Sequence, residues 1–218
     1  TQPSAWNQAA SRVGMPSDPS IAGTISQWRA LQQSDGLGFS TYASFIMANP
    51  GWPGEDRMRR LAETGINPDS FDPRQVVAFF ARFPARTATG HARNAVALMQ
   101  TGRMDEARVA ARTAWITGTL SPTDEARLLS LFGSGFTVAD HDQRADVLLW
   151  SNDTIGAMRM LAYVSPARRA IYDARIAFRQ KSPDAAIKMQ TAEPAGGASD
   201  AGFIADKATW LLNSGNWI

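Results

Sequence analysis

Two histidines, His91 and His141, are the side chains of this sequence best placed to move a proton near neutral pH or to bind a metal. Neither has a partner His, Cys or carboxylate at the spacing that puts two ligands on one helix face. His141 stands in Asp140-His141-Asp142 at the start of a predicted helix. Acidic residues favour a helix's first turn, so this cluster fits capping and the helix dipole as well as it fits acid–base chemistry. Asp140, Asp142 and Asp146 are the carboxylates a small hydrolase would use, and such an enzyme needs a deep polar cleft around them. Gly133-Ser134-Gly135 is short of a nucleophile elbow, because it follows a helix instead of a strand and lacks the outer spacing. No glycine-rich phosphate loop ending in Lys-Ser/Thr is present. The sequence has no cysteine, which excludes disulfides, thiolate metal sites and cysteine nucleophiles. The expectation is no catalytic residue, no metal ligand set and no cofactor site within the chain.

Tryptophan and arginine offer binding chemistry. Of the seven tryptophans, Trp28, Trp115, Trp150 and Trp210 fall in helical apolar stripes and are expected in the core. Trp52, between Gly51 and Pro53, and Trp217, near the C-terminus, are freer to present an indole face to a sugar ring. Nearly all of the 22 basic residues are arginine; the lysines are Lys181, Lys188 and Lys207. A GC-rich genome would produce this bias, and so would a need for guanidinium forks that grip carboxylates or sugars.

These residues must be held by helices. Strand signals are nearly absent: there is no Asn-Gly hairpin turn and no sustained alternation. Ile21, Ile25, Trp28 and Leu31 trace one helix face, and Val76, Val77, Phe79, Phe80 and Phe83 give a broad buried one. Leu128, Leu129, Leu131 and Phe132 form another, as do Val147, Leu148, Leu149 and Trp150. A capping residue followed by proline recurs at Asp18-Pro19, Asp72-Pro73, Ser121-Pro122, Ser165-Pro166 and Ser182-Pro183. There the side-chain oxygen serves free N–H groups, and proline at the first helical position loses no needed donor. Gln75 occupies the capping-box position after Asp72. About a dozen short helices are expected from the usual helix lengths.

Several helices share a template of a small residue, a large apolar one, a left-handed cap and a small acceptor. Ala95, Leu98, Gly102 and Ala107 set it; Ala126, Leu129, Gly133 and Val138 repeat it, as do Ala145, Leu148, Asn152 and Ala157. Ala174, Ala177, Lys181 and Ala186 follow more weakly, and Ala208, Leu211 and Gly215 last. The copies are too unevenly spaced for a strict tetratricopeptide array but suit an α-solenoid of stacked helical hairpins. The predicted fold is all-α, a right-handed superhelix of short antiparallel hairpins forming one domain over residues 1–218. Breaks are expected at the tight turn Asn49–Gly54 and at a flexible inter-helix loop, Ala192–Ser199. A net charge of +2 gives no argument for nucleic acid, and no apolar run approaches the roughly 20 residues of a membrane span.

In order and spacing, residues 25 to 215 resemble the N-terminal superhelical domain of soluble lytic murein transglycosylases. The segments are Tyr42-Ala43-Ser44-Phe45-Ile46 through Asn49-Pro50-Gly51-Trp52-Pro53-Gly54-Glu55 to the Arg-rich Arg57–Glu63; Val76–Pro84 through Ala95-Val96-Ala97-Leu98 to Glu106-Ala107-Arg108; and Trp115 through Leu120-Ser121-Pro122 to Phe132. Asp140-His141-Asp142-Gln143-Arg144-Ala145-Asp146 with Leu148-Leu149-Trp150 is the most telling. Ala174-Arg175-Ile176-Ala177 and Ala208-Thr209-Trp210-Leu211-Leu212 close the set.

The resemblance implies a periplasmic, U-shaped or ring-like scaffold whose signal peptide has been removed. It further implies a C-terminal lysozyme-like domain that cleaves peptidoglycan glycan strands to 1,6-anhydromuramoyl ends, one Glu acting as acid and then base. In that family the catalytic Glu is followed by Ser. Here Glu55, Glu63, Glu106, Glu125 and Glu193 precede Asp56, Thr64, Ala107, Ala126 and Pro194, so none fits. The expectation is a non-catalytic scaffold, continued beyond Ile218, whose partners are glycan strands and the catalytic domain. A stand-alone tetratricopeptide-like adaptor for a protein or peptide is the rival reading.

Overall fold

The computed structural model of the chain describes residues 19–214. Among these residues the chain is all-α, with twelve α-helices and two 3-10 turns. Asp18, Gly215 and Trp217 lie outside the described residues. The chain divides into two compact units after Ser70.

The first unit holds α1 (Pro19–Gln32), α2 (Phe39–Ala48) and α3 (Glu55–Thr64). Its core collects Leu31, Tyr42, Phe45, Ile46, Met58 and Ile66. Trp52 is half-buried, edge-on to Phe45 at 5.7 Å and 6.3 Å from Trp28, so the expected free indole is instead part of an aromatic cluster. Trp28 Nε1 donates to the carbonyl of Pro53 (2.7 Å), which pins the turn against α1. Ile21, at the start of the α1 stripe, is exposed. In α3, Arg59 and Glu63 are buried, so its arginines do more than solvate one face.

Among its described residues the second unit holds nine helices. These are α4 (Pro73–Arg82), α5 (Ala88–Gln100), α6 (Met104–Thr117), α7 (Pro122–Phe132), α8 (Val138–Trp150), α9 (Thr154–Met160), α10 (Pro166–Gln180), α11 (Ala185–Ala192) and α12 (Ala201–Ser214). Their starts follow capping chemistry. Asp72, Ser121 and Ser165 each accept a bond from a backbone N–H of the first turn, with proline next. The reciprocal box forms at Thr137–Asp140, whereas Asp72 caps α4 through the Arg74 N–H. Ser182-Pro183 opens no helix; it lies in the turn before α11, whose cap residue is Asp184.

Hairpins α5/α6, α8/α9 and α10/α11 turn by the same device. Arg103 N donates to Leu98 O (2.8 Å) and Gly102 N to Met99 O (3.0 Å). Asp153 and Asn152 repeat this on Leu148 (2.8 Å) and Leu149 (3.0 Å), and Ser182 and Lys181 on Ala177 (2.9 Å) and Phe178 (3.2 Å). These are Schellman turns, whose first residue beyond the helix must be left-handed. Gly102, Asn152 and Lys181 have φ of 80°, 61° and 53°. Glycine takes that conformation without penalty, while a side chain costs about 1 kcal/mol there.

The template departs from expectation twice. Gly133 is right-handed and enters a 3-10 turn, and Val138 is 53% exposed, so Ala126–Val138 is not a hairpin of this kind. In α11 it is Ala185, not Ala186, that is buried. Elsewhere small residues let helices approach: Ala95, Ala107, Ala111 and Ala114 are buried in one core with Trp115, Leu148, Ala157 and Tyr172. α5 packs on α6, α6 on α8, α8 and α9 on α10, and α10 on α12, so each hairpin stacks on the next in sequence. This is solenoid-like packing. The 192–199 loop contains the second 3-10 turn, with Gly197 buried.

Candidate functional site

The carboxylates a hydrolase would need are dispersed to separate structural tasks. Asp140 is buried, caps α8 through Thr137 and accepts Arg112 Nε at 2.7 Å. Burial would raise its pKa, but the Thr137 and Arg112 bonds and the Arg112 charge outweigh that and lower it. Asp142 Oδ1 accepts the backbone N–H of Ser165 (2.8 Å), tying α8 to the cap of α10. Asp146 pairs with Arg175. The three side chains thus take different partners: Arg112, the Ser165 backbone and Arg175.

His141 sits in an aromatic box, with ring centroids 5.8 Å from Trp115, 6.2 Å from Phe136 and 5.2 Å from Tyr163. Burial lowers its pKa and prevails over the opposing charges of Asp140 and Asp142. It is therefore a packed imidazole whose hold on a second proton is weakened. Among the described residues no group of three or more His, Cys, Asp or Glu is placed to hold a metal. No described helix is long and apolar enough to cross a membrane.

Glu125, on α7, is one of several buried acids. Burial alone would raise its pKa, yet hydrogen bonds from Arg159 (2.8 Å) and Arg144 (2.5 Å), with their charges, hold it below the ordinary carboxylate value. A proton donor to a leaving oxygen needs the opposite shift. Two further buried forks repeat this economy: Arg93 with Asp124 (2.8 Å), and Arg175 with Asp206 (2.8 Å). The arginine bias thus serves internal carboxylates at the joints between helices. The arginine bias suggests forks on carboxylates, but the partners are not readable from spacing, because they lie 19 to 34 residues apart.

The tryptophans divide. Trp115 is fully buried, stacked on Phe136 at 4.8 Å, in keeping with its stripe. Trp150 is 54% exposed, with the Arg175 guanidinium 5.4 Å from its ring, so the core expectation fails there. Trp210, half-buried on α12, stacks on Phe178 at 5.2 Å.

Two cavities in the second unit carry recognisable binding chemistry. One, of about 180 Å³, has an apolar floor of Val109, Phe132 and Phe136 with Arg108 and Arg112 at its wall. The other, of about 230 Å³, lies where α8 and α10 end beside α12 and is lined by Asn152, Arg179, Lys181, Trp210 and Asn213. It gathers amides, cations and an indole, although no spacing in the sequence connects them. Compared with protein-family models, curated proteins and solved structures, the chain finds no match.

Proposed function

We propose that this chain is the non-catalytic superhelical scaffold of a periplasmic peptidoglycan lytic transglycosylase, whose glycan-cleaving step belongs to a separate lysozyme-like domain. The observation that carries the reading is the state of Glu125. Glu125 is buried and gripped by Arg144 and Arg159, which lower its pKa, the opposite of the shift a general acid needs, so it latches helices. The ordered resemblance from Tyr42 to Leu212 supplies the family, and the stacked hairpins supply a scaffold. The test is to incubate the purified chain with peptidoglycan sacculi. The expected result is co-sedimentation with no release of anhydromuropeptides, and release would overturn the proposal. A reading frame continuing past Ile218 into a Glu-Ser motif supports the enzyme parent.

The apolar cavity at Val109, Phe132 and Phe136, with two guanidiniums at its wall, favours a second reading: an adaptor that seats an apolar side chain beside a carboxylate. Failure to pellet with sacculi, together with binding of an acidic peptide lost in Val109→Glu, would favour the adaptor.

A further inference from the structure

The three Schellman turns of the second unit place the same demand on one residue each, and only the first meets it with glycine. At the other two the left-handed residues are Asn152 and Lys181, and both side chains line the same cavity. A glycine would suit either backbone better. The chain instead keeps an amide and an ammonium where two helix ends converge, and non-glycine residues in such conformations gather at functional sites.

The surroundings define the ligand. Arg179 Nη1 donates to Asn152 Oδ1 (3.1 Å), and Arg179 Nη2 pairs with the buried Asp206 at 2.6 Å. Asp206 also takes Arg175 Nε, so the one carboxylate among the described residues of the cavity wall is already met by two guanidiniums. Lys181 is exposed and forms no ion pair among the described residues. The wall is therefore net positive. Trp210, stacked on Phe178 of the same wall, contributes an aromatic surface, Asn213 contributes an amide that can donate and accept, and Asn152, whose Oδ1 already accepts from Arg179, contributes a second amide. A cavity of about 230 Å³ is below the roughly 300 Å³ at which drug-sized pockets begin, so it suits one ring of a longer ligand.

We propose that this cavity binds a carboxylate-bearing pyranose ring, its apolar face on Trp210, its hydroxyls on Asn152 and Asn213 and its carboxylate on Lys181. The inference deepens the scaffold reading by giving it a glycan-holding site, and the two can fail separately. Sedimentation with sacculi without sugar-induced shifts overturns this site alone. Sugar-induced shifts without sedimentation overturn the scaffold reading alone.

The experiment is a titration of the whole chain followed by NMR, reading the Trp210 indole N–H, the Lys181 amide and the Asn152 and Asn213 side chains. Glucuronate and N-acetylmuramate should shift these signals together, with affinity on the order of millimolar for so few atoms. Glucose should bind about tenfold more weakly, lacking the charge-assisted contact. Lys181→Gly should abolish the sugar-induced shifts while leaving the melting temperature unchanged or higher, because it relieves the left-handed backbone. Asn213→Ala, at an exposed position, should weaken binding without changing the melting temperature. Equal shifts with acetate, stronger shifts with a nucleoside monophosphate, or no shifts with either acidic sugar would overturn the proposal. So would full sugar binding by Lys181→Gly.

Discussion

Arg144 and Arg175 are both fully buried guanidiniums, on α8 and α10, but their charges are met differently. Around Arg144 two cations share one carboxylate: Arg144 and Arg159 both grip Glu125. The balance comes from dipoles and a ring, since Arg144 donates to the carbonyl of Trp115 (3.1 Å) and lies 4.1 Å from the Trp115 ring centroid. Burial lowers the Arg144 pKa despite the Glu125 contact. Around Arg175 the count is even, with Asp146 and Asp206 against Arg175 and Arg179. The first cluster buries Arg144 and Glu125 and meets solvent through Arg159, which is exposed. The second reaches the surface, through Trp150 on one side and the α8–α10–α12 cavity on the other. A guanidinium that depends on fixed backbone carbonyls leaves little freedom to move, whereas one bounded by side-chain carboxylates can border a site that exchanges water for ligand.

The comparison can be broken most forcefully at its first member. Arg144→Met should lower unfolding free energy by about 3–5 kcal/mol in chemical denaturation, because it deprives a buried carboxylate of one of its two cations. A loss no larger than that of a surface substitution would remove the contrast. Next, Gly202→Ala tests the second cluster alone: a Cβ there would fall 2.2 Å from Arg175 Cζ. Arg175 is held by two carboxylates and cannot swing aside, so a loss of about 1–3 kcal/mol is expected. Arg175→Met in the same chain should recover part of that loss, as a double-mutant cycle would show.

A smaller effect tests the first cluster by pH. Glu125 has a lowered folded-state pKa, so its contribution is full above the unfolded value and fades as pH falls through the folded one. Glu125→Gln should therefore flatten the acid side of the stability profile measured by thermal melts. Smallest of all, Trp150→Ala should cost about 0.5–1 kcal/mol, the worth of a cation–π contact at an exposed ring. Trp115→Ala, for contrast, should fall in the range of about 3–5 kcal/mol of buried aromatic truncations.

Helix content, the capped starts at Asp72, Ser121 and Ser165, and three of the hairpin turns were legible in the sequence because their causes are local. The Ser121 and Ser165 caps precede proline, and the cap at Gly102, Asn152 and Lys181 lies four residues beyond Leu98, Leu148 and Ala177. Gly133 has the same spacing but ends in a 3-10 turn, because residues 133–135 pack on α7 in place of a returning helix. Trp150 shows the limit of stripe reading: it continues the run from Val147, yet the helix ends at that residue and its ring turns outward. The cavity was not legible at all. Asn152, Lys181, Trp210 and Asn213 come from three helix ends, and only tertiary packing brings them together.

The Schellman turns also set an order of assembly. Each closes its hairpin through backbone bonds three and five residues apart, so the turn itself needs no partner downstream. The arginine latches cannot close until a later segment exists: Arg175 waits for Asp206, and Glu125 waits for Arg144 and Arg159. A chain emerging end-first from a ribosome or a secretion channel would thus fold hairpin by hairpin and lock only afterwards. Low contact order gives the first stage its speed, and the second supplies the barrier to unravelling.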